Sequence, residues 1–406
     1  MTLTVGIDDL NVYPSTLLVD AADIAAARGW SKEEANRQEV TCRSLPPAFE
    51  DPISLAVNAA RPVVEDAGPG GVELLVVATE SSVDYGKPLS SYVHRHLGMH
   101  PRCRNLEMKH ACYAGTAAVQ LASAWVRANP GKKALVIMTD MVRRTFGAAA
   151  ELALGAAAVA VVVAANPRIL ALEPLNAYVS REIYDVSRPN GILERANPGL
   201  SLAAYLDLLE AAIADFQRIA GTASLDTFFD YVIYHMPLLP LVRRAHRLLL
   251  EAGKRTISTD EANASFERMV RPSTVYCQQM GNVYSGSLYA GLAGLVDTAP
   301  SLQPGARVGF YSYGSGSCAE LFSGIVGEEA RETVARRHIG QALASRRKVN
   351  INDYEQIVIE HEKSLALPNF QPDRTLVPGH YDEVYCGNRL LVLDRVSDYY
   401  RSYSWS

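Results

Sequence analysis

A cysteine that could act as a nucleophile stands at position 112, directly after Lys109-His110-Ala111. The small and apolar run at 117–126 predicts a buried helix, which places Cys112 at or near the first turn of that helix. Backbone N–H groups and the positive end of the helix dipole gather there, and Lys109 and His110 act in the same direction, so the reactive thiolate is favoured. The alternative is that Cys112 is a small core residue, because free cysteine is among the most buried residue types.

Two further side chains that could move or bind protons stand at the ends of apolar strands. Glu80 follows the run Leu74–Thr79, and His235 follows Tyr231–Tyr234. The carboxyl ends of strands are where α/β enzymes gather their chemistry. The alternatives are an acid at a helix N-terminus or in a surface turn for Glu80, and a hydrogen-bonded core histidine for His235.

Two glycine-containing turns complete the set of candidate features. Met280–Ser287 leads into a predicted helix, which Asn282 could simply cap. Tyr311–Ala319 is a strand followed by a tight turn of small residues. It matches a GxGxxA pattern, but no convincing βαβ unit or ribose-binding acid follows, so a loop of backbone N–H donors is the better interpretation.

These features together fit one reaction. A cysteine holds an acyl group, a carboxylate takes a proton from the α-carbon of that acyl group, and a histidine interacts with the carbonyl of an acceptor. The glycine turns supply donors for a developing oxyanion. A serine hydrolase is disfavoured, because the sequence contains no GxSxG motif.

Composition narrows the class of protein. The chain has 406 residues, of which 48% are hydrophobic and 20% are charged, and its formal net charge is -5. These values predict a globular protein that binds neither bulk nucleic acid nor membrane. The six cysteines are not in CxxC spacing, which favours reduced thiols in the cytoplasm. A metal site has no support beyond His94, His96 and His100, and a solvated face is the better interpretation there.

The secondary-structure pattern positions the candidate residues in an α/β protein with two similar halves, 1–166 and 167–406. The N-terminal half carries Glu80 and Cys112, and the C-terminal half carries His235, Asn282 and the turn at 314–316. Predicted strands are Thr4–Tyr13, Val72–Thr79, Lys133–Thr139, Ala157–Ala165, Arg168–Val179, Phe228–Tyr234 and Arg307–Tyr313. Predicted helices are Asp20–Arg28, Pro52–Ala67, Leu89–Leu97, Gly115–Ala128, Leu202–Ala220 and Tyr284–Leu295.

Five ordered blocks of this sequence resemble the active-site blocks of the 3-hydroxy-3-methylglutaryl-CoA synthase family. The blocks are Thr79–Asp84, Glu107–Tyr113, His235–Pro237, Gly281–Tyr289 and Ser312–Ser317. The resemblance implies a thiolase-like fold with layered α-β-α-β-α architecture, usually in a homodimer.

The same resemblance implies roles by motif position. Cys112 would be the acylated nucleophile, Glu80 the acid and base, and His235 the group that binds and polarises the acceptor. The residues that would hold the thioester substrate are Asn282, Tyr284, Ser315 and Gly316.

Four segments are more specifically similar to the polyketide β-branching synthases, which act on thioesters carried by acyl carrier proteins. They are Phe49–Pro52, Asp84–Ser90, Cys112–Ala117 and Tyr400–Ser406. This resemblance implies no cofactor of the enzyme's own, since phosphopantetheine arrives on the carrier. Arg144 departs from the family, because mevalonate-pathway enzymes tend to have a tyrosine there. The alanine-rich segment Gly147–Ala157 departs as well, although Glu151 falls where the family has a loop glutamate.

The predicted activity is that of a condensing enzyme of secondary metabolism. An acetyl-like group would move from a donor carrier protein to Cys112, and Glu80 would remove an α-proton. The carbon would then attack the β-ketone of a carrier-bound polyketide, and hydrolysis would release a 3-hydroxy-3-carboxymethyl product on its carrier. Two alternatives stay open: mevalonate-type synthesis from free CoA thioesters, and a ketoacyl-synthase-like or noncatalytic binding protein of the same fold.

A basic run after His235 is the candidate docking site for carrier proteins, which are typically acidic. Arg243, Arg244 and Arg247 fall within one helical turn, and Arg243 and Arg247 share a face. The alternative is an ordinary solvated helix face.

Overall fold

The computed structural model describes residues 3–68, 71–141, 146–148, 150–189, 194–253 and 256–406. The strands are β1 (Val5–Tyr13), β2 (Leu17–Asp20), β3 (Cys42–Leu45), β4 (Val72–Ala78), β5 (Arg104–Met108), β6 (Lys133–Met141), β7 (Ala156–Ala165), β8 (Leu170–Ser180), β9 (Val186–Ser187), β10 (Arg195–Ala196), β11 (Tyr231–Tyr234), β12 (Arg307–Gly314), β13 (Cys318–Val326), β14 (Arg347–Lys348), β15 (Leu391–Ser397) and β16 (Tyr400–Trp405).

The helices are α1 (Ala21–Ala27), α2 (Lys32–Asn36), α3 (Pro52–Ala67), α4 (Leu89–His96), α5 (Ala114–Ala128), α6 (Pro198–Ala220), α7 (Leu225–Phe228), α8 (Leu239–Glu251), α9 (Thr259–Met269), α10 (Arg271–Met280), α11 (Ser287–Thr298), α12 (Ala330–Ala335), α13 (Ile339–Ala344) and α14 (Ile351–Ala366). A 3₁₀ turn at Tyr284–Gly286 precedes α11, and a π-helical turn covers Tyr381–Tyr385.

The large sheet joins the two halves of the molecule. Within the described residues it has nine strands in the order β11-β12-β13-β8-β1-β7-β6-β4-β5. Strands β1 and β7 pair along almost their whole length, whereas β1 and β8 share only the pairs Gly6–Ala171 and Ile7–Leu170. The chain crosses from one half-sheet to the other between β7 and β8, close to the predicted division at residue 166.

Helices cover the half-sheets in layers. Helices α3 and α4 pack against one face of β4, β6 and β7, and α5 packs against the opposite face of the same strands. Helix α11 lies beside α5 in the middle layer and contacts β11 and β12, while α6 covers β8 and β13 from outside. The predicted layered α/β architecture is confirmed.

The last strands of the chain pack on the N-terminal half. The hairpin β15–β16 lies against α3, where Arg401 Nη1 and the Tyr403 hydroxyl both donate to Asp51 Oδ2, at 3.0 and 2.7 Å. Asp51 also caps α3. The predicted division at residue 166 stays a prediction. The hairpin β15–β16 comes after this division in the sequence but packs against the N-terminal half.

Most predicted elements are found within one or two residues, with three differences. The predicted helix Tyr284–Leu295 begins only at Ser287, after a 3₁₀ turn, and extends to Thr298. Helix α6 begins at Pro198 rather than Leu202, because the Asn197 side chain accepts a hydrogen bond from the Leu200 N–H and proline occupies the first turn. The predicted strand Phe228–Tyr234 begins only at Tyr231, since its first residue ends the short helix α7.

In the part of the chain that the structure describes, no helix combines the length and the apolar character that crossing a membrane requires. All six cysteines are free thiols.

Candidate active site

Cys112 and Glu80 meet where β4, β5 and α5 converge. Strand β5 ends at Met108 and α5 begins at Ala114, which leaves Cys112 just before the helix. Glu80 follows β4, the parallel neighbour of β5. The Cys112 Sγ–H donates to Glu80 Oε1 across 3.6 Å, so the structure brings together the predicted nucleophile and the predicted base.

Asp140, near the end of β6, fixes the backbone that carries Glu80. Its Oδ1 accepts from the Glu80 N–H at 2.8 Å and from the hydroxyls of Thr79 and Ser81 at 3.2 and 2.9 Å. Its Oδ2 is buried and has no hydrogen-bond partner among the described residues. Asp140 therefore holds Glu80 in place and leaves one carboxylate oxygen unsatisfied beside it.

Burial and the closeness of two carboxyl groups raise the pKa values of the titratable side chains in this site. Burial raises the pKa of Glu80 to about 8, with a further contribution from Asp140. Burial likewise raises the pKa of Asp140 to about 7. The pKa of the Cys112 thiol is raised well above its ordinary value by burial and then by the negative charges of Glu80 and Asp140.

The sequence-based expectation of an activated thiolate at Cys112 is therefore wrong for the free protein. Cys112 does precede a helix N-terminus, but the field of a helix end is modest compared with desolvation next to two carboxyl groups. The thiol is protonated at neutral pH and needs an adjacent base, a role for which Glu80 is placed.

His235 lies directly after β11, and its backbone N–H donates to Tyr311 of the neighbouring strand β12 at 2.7 Å. The side chain is buried, and Nδ1 has no partner within the described ranges, so the alternative of a hydrogen-bonded core histidine does not describe it. Burial lowers the pKa of His235 to about 3. The imidazole is thus neutral and can donate one N–H.

The end of β12 connects His235 to the cysteine. A Cβ on Gly314 would come within 2.6 Å of the Tyr113 backbone nitrogen, so only glycine allows β12 to approach the nucleophile segment this closely. Tyr205 stacks edge-on against Tyr311 and donates from its hydroxyl to the His235 carbonyl at 2.8 Å. Strand β12 thus links the backbone of His235 to the segment that carries Cys112.

The turn before α11 brings Asn282 and Tyr284 to the same region. Asn282 Oδ1 accepts from the Tyr284 N–H and the Ser287 hydroxyl, both at 2.9 Å, which fixes the turn. Asn282 does not cap α11, because the N-cap of this helix is Gly286 and has no side-chain hydrogen bond. Tyr284 has φ +50° and a buried hydroxyl without a described partner. Burial raises the pKa of this hydroxyl well above its ordinary value, with further contributions from the charges of Glu194 and Glu80.

The Ser315-Gly316 turn is tied down by Asp185. The Gly316 N–H donates to Asp185 Oδ1 at 3.2 Å, and the Tyr313 hydroxyl donates to Oδ2 at 3.0 Å. The Gly316 N–H is therefore not a free oxyanion donor, contrary to the expectation from the glycine pattern. A Cβ on Gly316 would lie 4.0 Å from His110 Nε2, which places this turn beside the segment of Cys112.

The predicted docking arginines are largely engaged within the chain. Arg243 pairs with Glu39 and Glu267, and Arg247 pairs with Glu251 four residues later on α8. Arg244 is exposed. The geometry weakens the hypothesis that Arg243 and Arg247 offer an unpaired basic face, and the docking role itself stays a prediction.

Glu151 falls where the resembled family has a loop glutamate, and in this structure it holds the loop in place. Its fully buried carboxylate accepts from Arg28 at 2.9 Å, from the Gly147 N–H at 2.6 Å and from the Tyr354 hydroxyl at 3.1 Å. These contacts tie the loop to α1 and α14. Arg144 lies outside the described residues.

Three groups of this site were not predicted from the sequence. Asp140 follows the apolar run 134–138 of β6 and could have been found by the rule that singled out Glu80, a polar residue at the end of a buried strand. Arg188 and Glu194 pair with each other next to Glu80, but they lie in a segment without hydrophobic periodicity. No sequence signal indicates their position.

Comparison with known proteins agrees with this geometry. Residues 250–404 match the family described as "Hydroxymethylglutaryl-coenzyme A synthase C terminal". The chain is 31% identical over 420 residues to the polyketide biosynthesis 3-hydroxy-3-methylglutaryl-ACP synthase PksG of Bacillus subtilis (strain 168), covering 99% of each chain. It is also 31% identical over 366 residues to the hydroxymethylglutaryl-CoA synthase of Enterococcus faecalis, covering 88% of this chain and 92% of that protein.

Among solved structures, the HMG synthase of the curacin biosynthetic pathway in complex with holo donor-ACP matches with a TM-score of 0.95. The two are 34% identical over 99% of this chain and 100% of that chain. The protein is therefore a carbon–carbon bond-forming acyltransferase of thiolase-like fold. It belongs to the hydroxymethylglutaryl-CoA synthase family.

Proposed function

We propose that this protein is a condensing enzyme of polyketide β-branching that takes its substrates from acyl carrier proteins. The observation that carries the proposal is the contact of Cys112 Sγ with Glu80 Oε1, in a chain that matches carrier-dependent relatives over 99% of its length. The likeness to the Enterococcus faecalis enzyme keeps synthesis from free CoA thioesters as the second candidate.

The reaction begins with acyl transfer. The Cys112 thiol attacks the carbonyl of an acetyl thioester and passes its proton to Glu80, which lies 3.6 Å away. The tetrahedral intermediate collapses with release of the carrier's phosphopantetheine thiolate, which takes the proton from Glu80 and leaves Glu80 ionised. Asn282, Tyr284 and the turn at Ser315 and Gly316 hold the thioester arm in this proposal.

Condensation follows on the acetylated enzyme. Ionised Glu80 removes a proton from the acetyl methyl group, and the resulting carbanion attacks the β-ketone of the acceptor. The neutral imidazole of His235 donates a hydrogen bond to that ketone oxygen as negative charge develops. The alkoxide takes up the proton that Glu80 removed from the methyl group. Water then hydrolyses the thioester at Cys112, which frees the carboxylate and restores the thiol.

The source of the acetyl group is tested by intact-protein mass spectrometry. Purified enzyme is incubated with acetyl-CoA and, separately, with an acetyl-loaded carrier protein. The proposal predicts an acetyl adduct that forms rapidly from the carrier protein and slowly from acetyl-CoA. An equal or faster reaction with acetyl-CoA would favour the mevalonate-type enzyme.

Cys112→Ala is the variant that controls this experiment, because it removes only the nucleophile. We expect no adduct on this variant from either donor. Cys318→Ala is the matched control, since Cys318 is a buried free thiol in the neighbouring strand β13 and should leave the adduct unchanged. An adduct of equal yield on Cys112→Ala would contradict the assignment.

Two further proposals concern association. The chain forms a homodimer, supported by Leu106 on the edge strand β5 and Leu121 on α5, which are 40% and 58% exposed. Sedimentation velocity measures the mass of the particle and tests this proposal.

Carrier docking on α8 is tested with Arg244→Glu, since Arg244 is exposed. Charge reversal at Arg243 would also break its ion pairs with Glu39 and Glu267. The enzyme works in the cytoplasm, which its free cysteines support.

A further inference from the structure

Arg188 binds the backbone of Glu80 from a segment that the proposed mechanism does not use. The guanidinium is largely buried, with 14% of its side chain exposed. Nη1 donates to the Glu80 carbonyl oxygen, and Nη2 donates to the carboxylate of Glu194. Its Cζ lies 6.0 Å from the ring centre of Tyr284. Arg188 thus attaches the end of β4 to the segment that begins at β9.

The surroundings of Glu80 are strongly acidic. The charged and titratable groups that face it are Asp140 from the end of β6, Glu194 from the segment before β10, Cys112 before α5, Tyr284 before α11, and Arg188 itself. Arg188 is the cation that lowers the pKa of both Glu80 and Asp140. Without it, the negative charge of a general base at this position would have no opposing charge among these groups.

We infer that Arg188 is a positioning residue for the carbon–carbon bond-forming step, which holds the backbone of Glu80 in place and makes its carboxyl group easier to ionise. The inference rests on the proposed function, because it assigns to Arg188 a role through the base of that reaction. Arg188 does not itself touch the reacting atoms.

Two substitutions separate charge from hydrogen-bond geometry. Arg188→Met keeps an unbranched apolar stem but removes the charge and both donors. Arg188→Lys keeps the charge but replaces the planar fork by a single ammonium group, which cannot hold the Glu80 carbonyl and Glu194 with the same geometry. Arg195→Met is the matched control, because Arg195 is an exposed arginine on β10 of the same segment.

The experiment measures single-turnover condensation from pre-acetylated enzyme between pH 6 and 9.5, so that Cys112 cannot titrate. We expect Arg188→Met to move the midpoint of the acidic limb upward by at least about 1 pH unit, from about 8 to the upper end of this range or beyond it, because an opposite charge lowers the pKa of a neighbouring carboxyl group. The rate at pH 7 then falls about 10-fold or more, and the difference from wild type narrows as the pH rises. Arg188→Lys should keep its midpoint near that of wild type, with a lower plateau rate.

Infrared titration of Glu80 in the unacylated proteins, with Glu80→Gln as the reference spectrum, gives a readout without substrate. It should show the same upward shift for Arg188→Met and none for Arg195→Met. If wild type condenses but Arg188→Met leaves both midpoints unmoved, the inference about Arg188 is overturned. If acetylated wild type forms no condensation product, the proposed function fails instead.

Discussion

The thiol of Cys112 and the carboxyl of Glu80 share one hydrogen bond, and the pKa values of both groups are raised by burial. Each group therefore keeps its proton to a higher pH than it would in water. Such a pair is slow to react with small electrophiles, yet it can pass a proton within the site once a thioester excludes water. Reactivity here depends on substrate binding rather than on a permanently ionised thiol.

Replacing Glu80 by glutamine separates the two chemical steps. We expect Glu80→Gln to be acetylated more slowly than wild type, because Cys112 loses its proton acceptor. Once preloaded with acetyl, it should condense about 10²–10⁴-fold more slowly, because carbon–carbon bond formation needs a positioned base. Single-turnover assays that follow acetylation and product formation separately provide the measurement. Glu182→Gln, at an exposed carboxylate, is the control and should match wild type. Normal condensation of a preloaded Glu80→Gln enzyme would contradict the assignment.

His235 is predicted to act in condensation as a neutral hydrogen-bond donor. We expect His235→Ala to be acetylated normally and to condense about 10²-fold more slowly or worse, with weaker acceptor saturation. Because the pKa of His235 is about 3, its own titration should not appear in the pH–rate profile above pH 5.

The matched control for His235 is His246→Gln. His246 is also a buried histidine, but both ring nitrogens are hydrogen-bonded, to the Tyr234 hydroxyl at 3.2 Å and to the Ser265 hydroxyl at 2.9 Å. The control should lower the melting temperature without changing acceptor saturation. Unchanged saturation and turnover in His235→Ala would return His235 to a purely structural role.

At the scale of elements, Arg346 joins the C-terminal ends of two helices. It is buried, and its Nε donates to the Leu343 carbonyl of α13 at 2.9 Å, while its Nη1 donates to the Gln279 carbonyl of α10 at 2.9 Å and to the Ser44 hydroxyl at 2.8 Å. The negative ends of two helix dipoles thus stabilise a buried cation that has no carboxylate among these partners. Gln279 lies three residues before Asn282, so this junction sets the start of the candidate substrate turn.

Removing this junction should cost stability. We expect Arg346→Met to lower the free energy of unfolding by about 2–5 kcal/mol, since it leaves buried carbonyl oxygens without donors. Arg347→Met, at the exposed neighbouring arginine, should change it by less than about 1 kcal/mol. Denaturant unfolding gives both values. Equal effects of the two substitutions would show that the helix ends do not depend on Arg346.

The elements themselves were largely readable from the sequence, because local signals define them. Helix α3 begins at Pro52, as predicted, since Asp51 caps it and proline fits its first position. Strands β6 and β7 were predicted from long apolar runs that are buried on both faces. The short strand β11 was misjudged at its start because three aromatic residues, at 228, 229 and 231, suit a strand and the end of a helix equally well.

At the scale of the whole molecule, the site could be predicted only in part. Motif order identified Glu80, Cys112 and His235 as candidates, but the protonation state of Cys112 depends on Asp140, which is 60 positions from Glu80 in the sequence, and on burial. Arg188 is 108 positions from Glu80. These electrostatic interactions form only in the folded protein, between residues far apart in the sequence, so no local sequence pattern predicts them.

The pH dependence of stability should reveal Glu50, a buried carboxyl group outside the candidate active site. Glu50 is fully buried, accepts from the hydroxyls of Tyr13 and Ser15 at 2.6 and 2.5 Å, and has its pKa raised by burial from 4.5 to about 7. The folded state thus binds a proton more tightly than the unfolded state, so this contribution is complete below pH 4.5 and is lost as the pH rises to about 7. The loss amounts to about 3 kcal/mol.

Glu50→Gln tests this directly. Glutamine can still accept from Tyr13 or Ser15 but does not titrate, so the decline in stability between pH 5 and 8 should be smaller than in wild type. Glu210→Gln, at an exposed glutamate on α6, is the control and should keep the wild-type slope. Chemical denaturation at several pH values provides the measurement. An identical slope in Glu50→Gln would contradict the assignment.

The contact between Asp51 and the C-terminal hairpin has a consequence for synthesis on the ribosome. Asp51 and Arg401 are 350 positions apart, and their side chains pair at 3.0 Å. At about 5–20 residues per second, a nascent chain that has already produced α3 waits roughly 20 to 70 seconds for its partner to be made. The first half of the protein therefore leaves the ribosome with the cap of α3 only partly bonded. It reaches its final packing only after Arg401 has been made, and a chain that stops before Arg401 never reaches it.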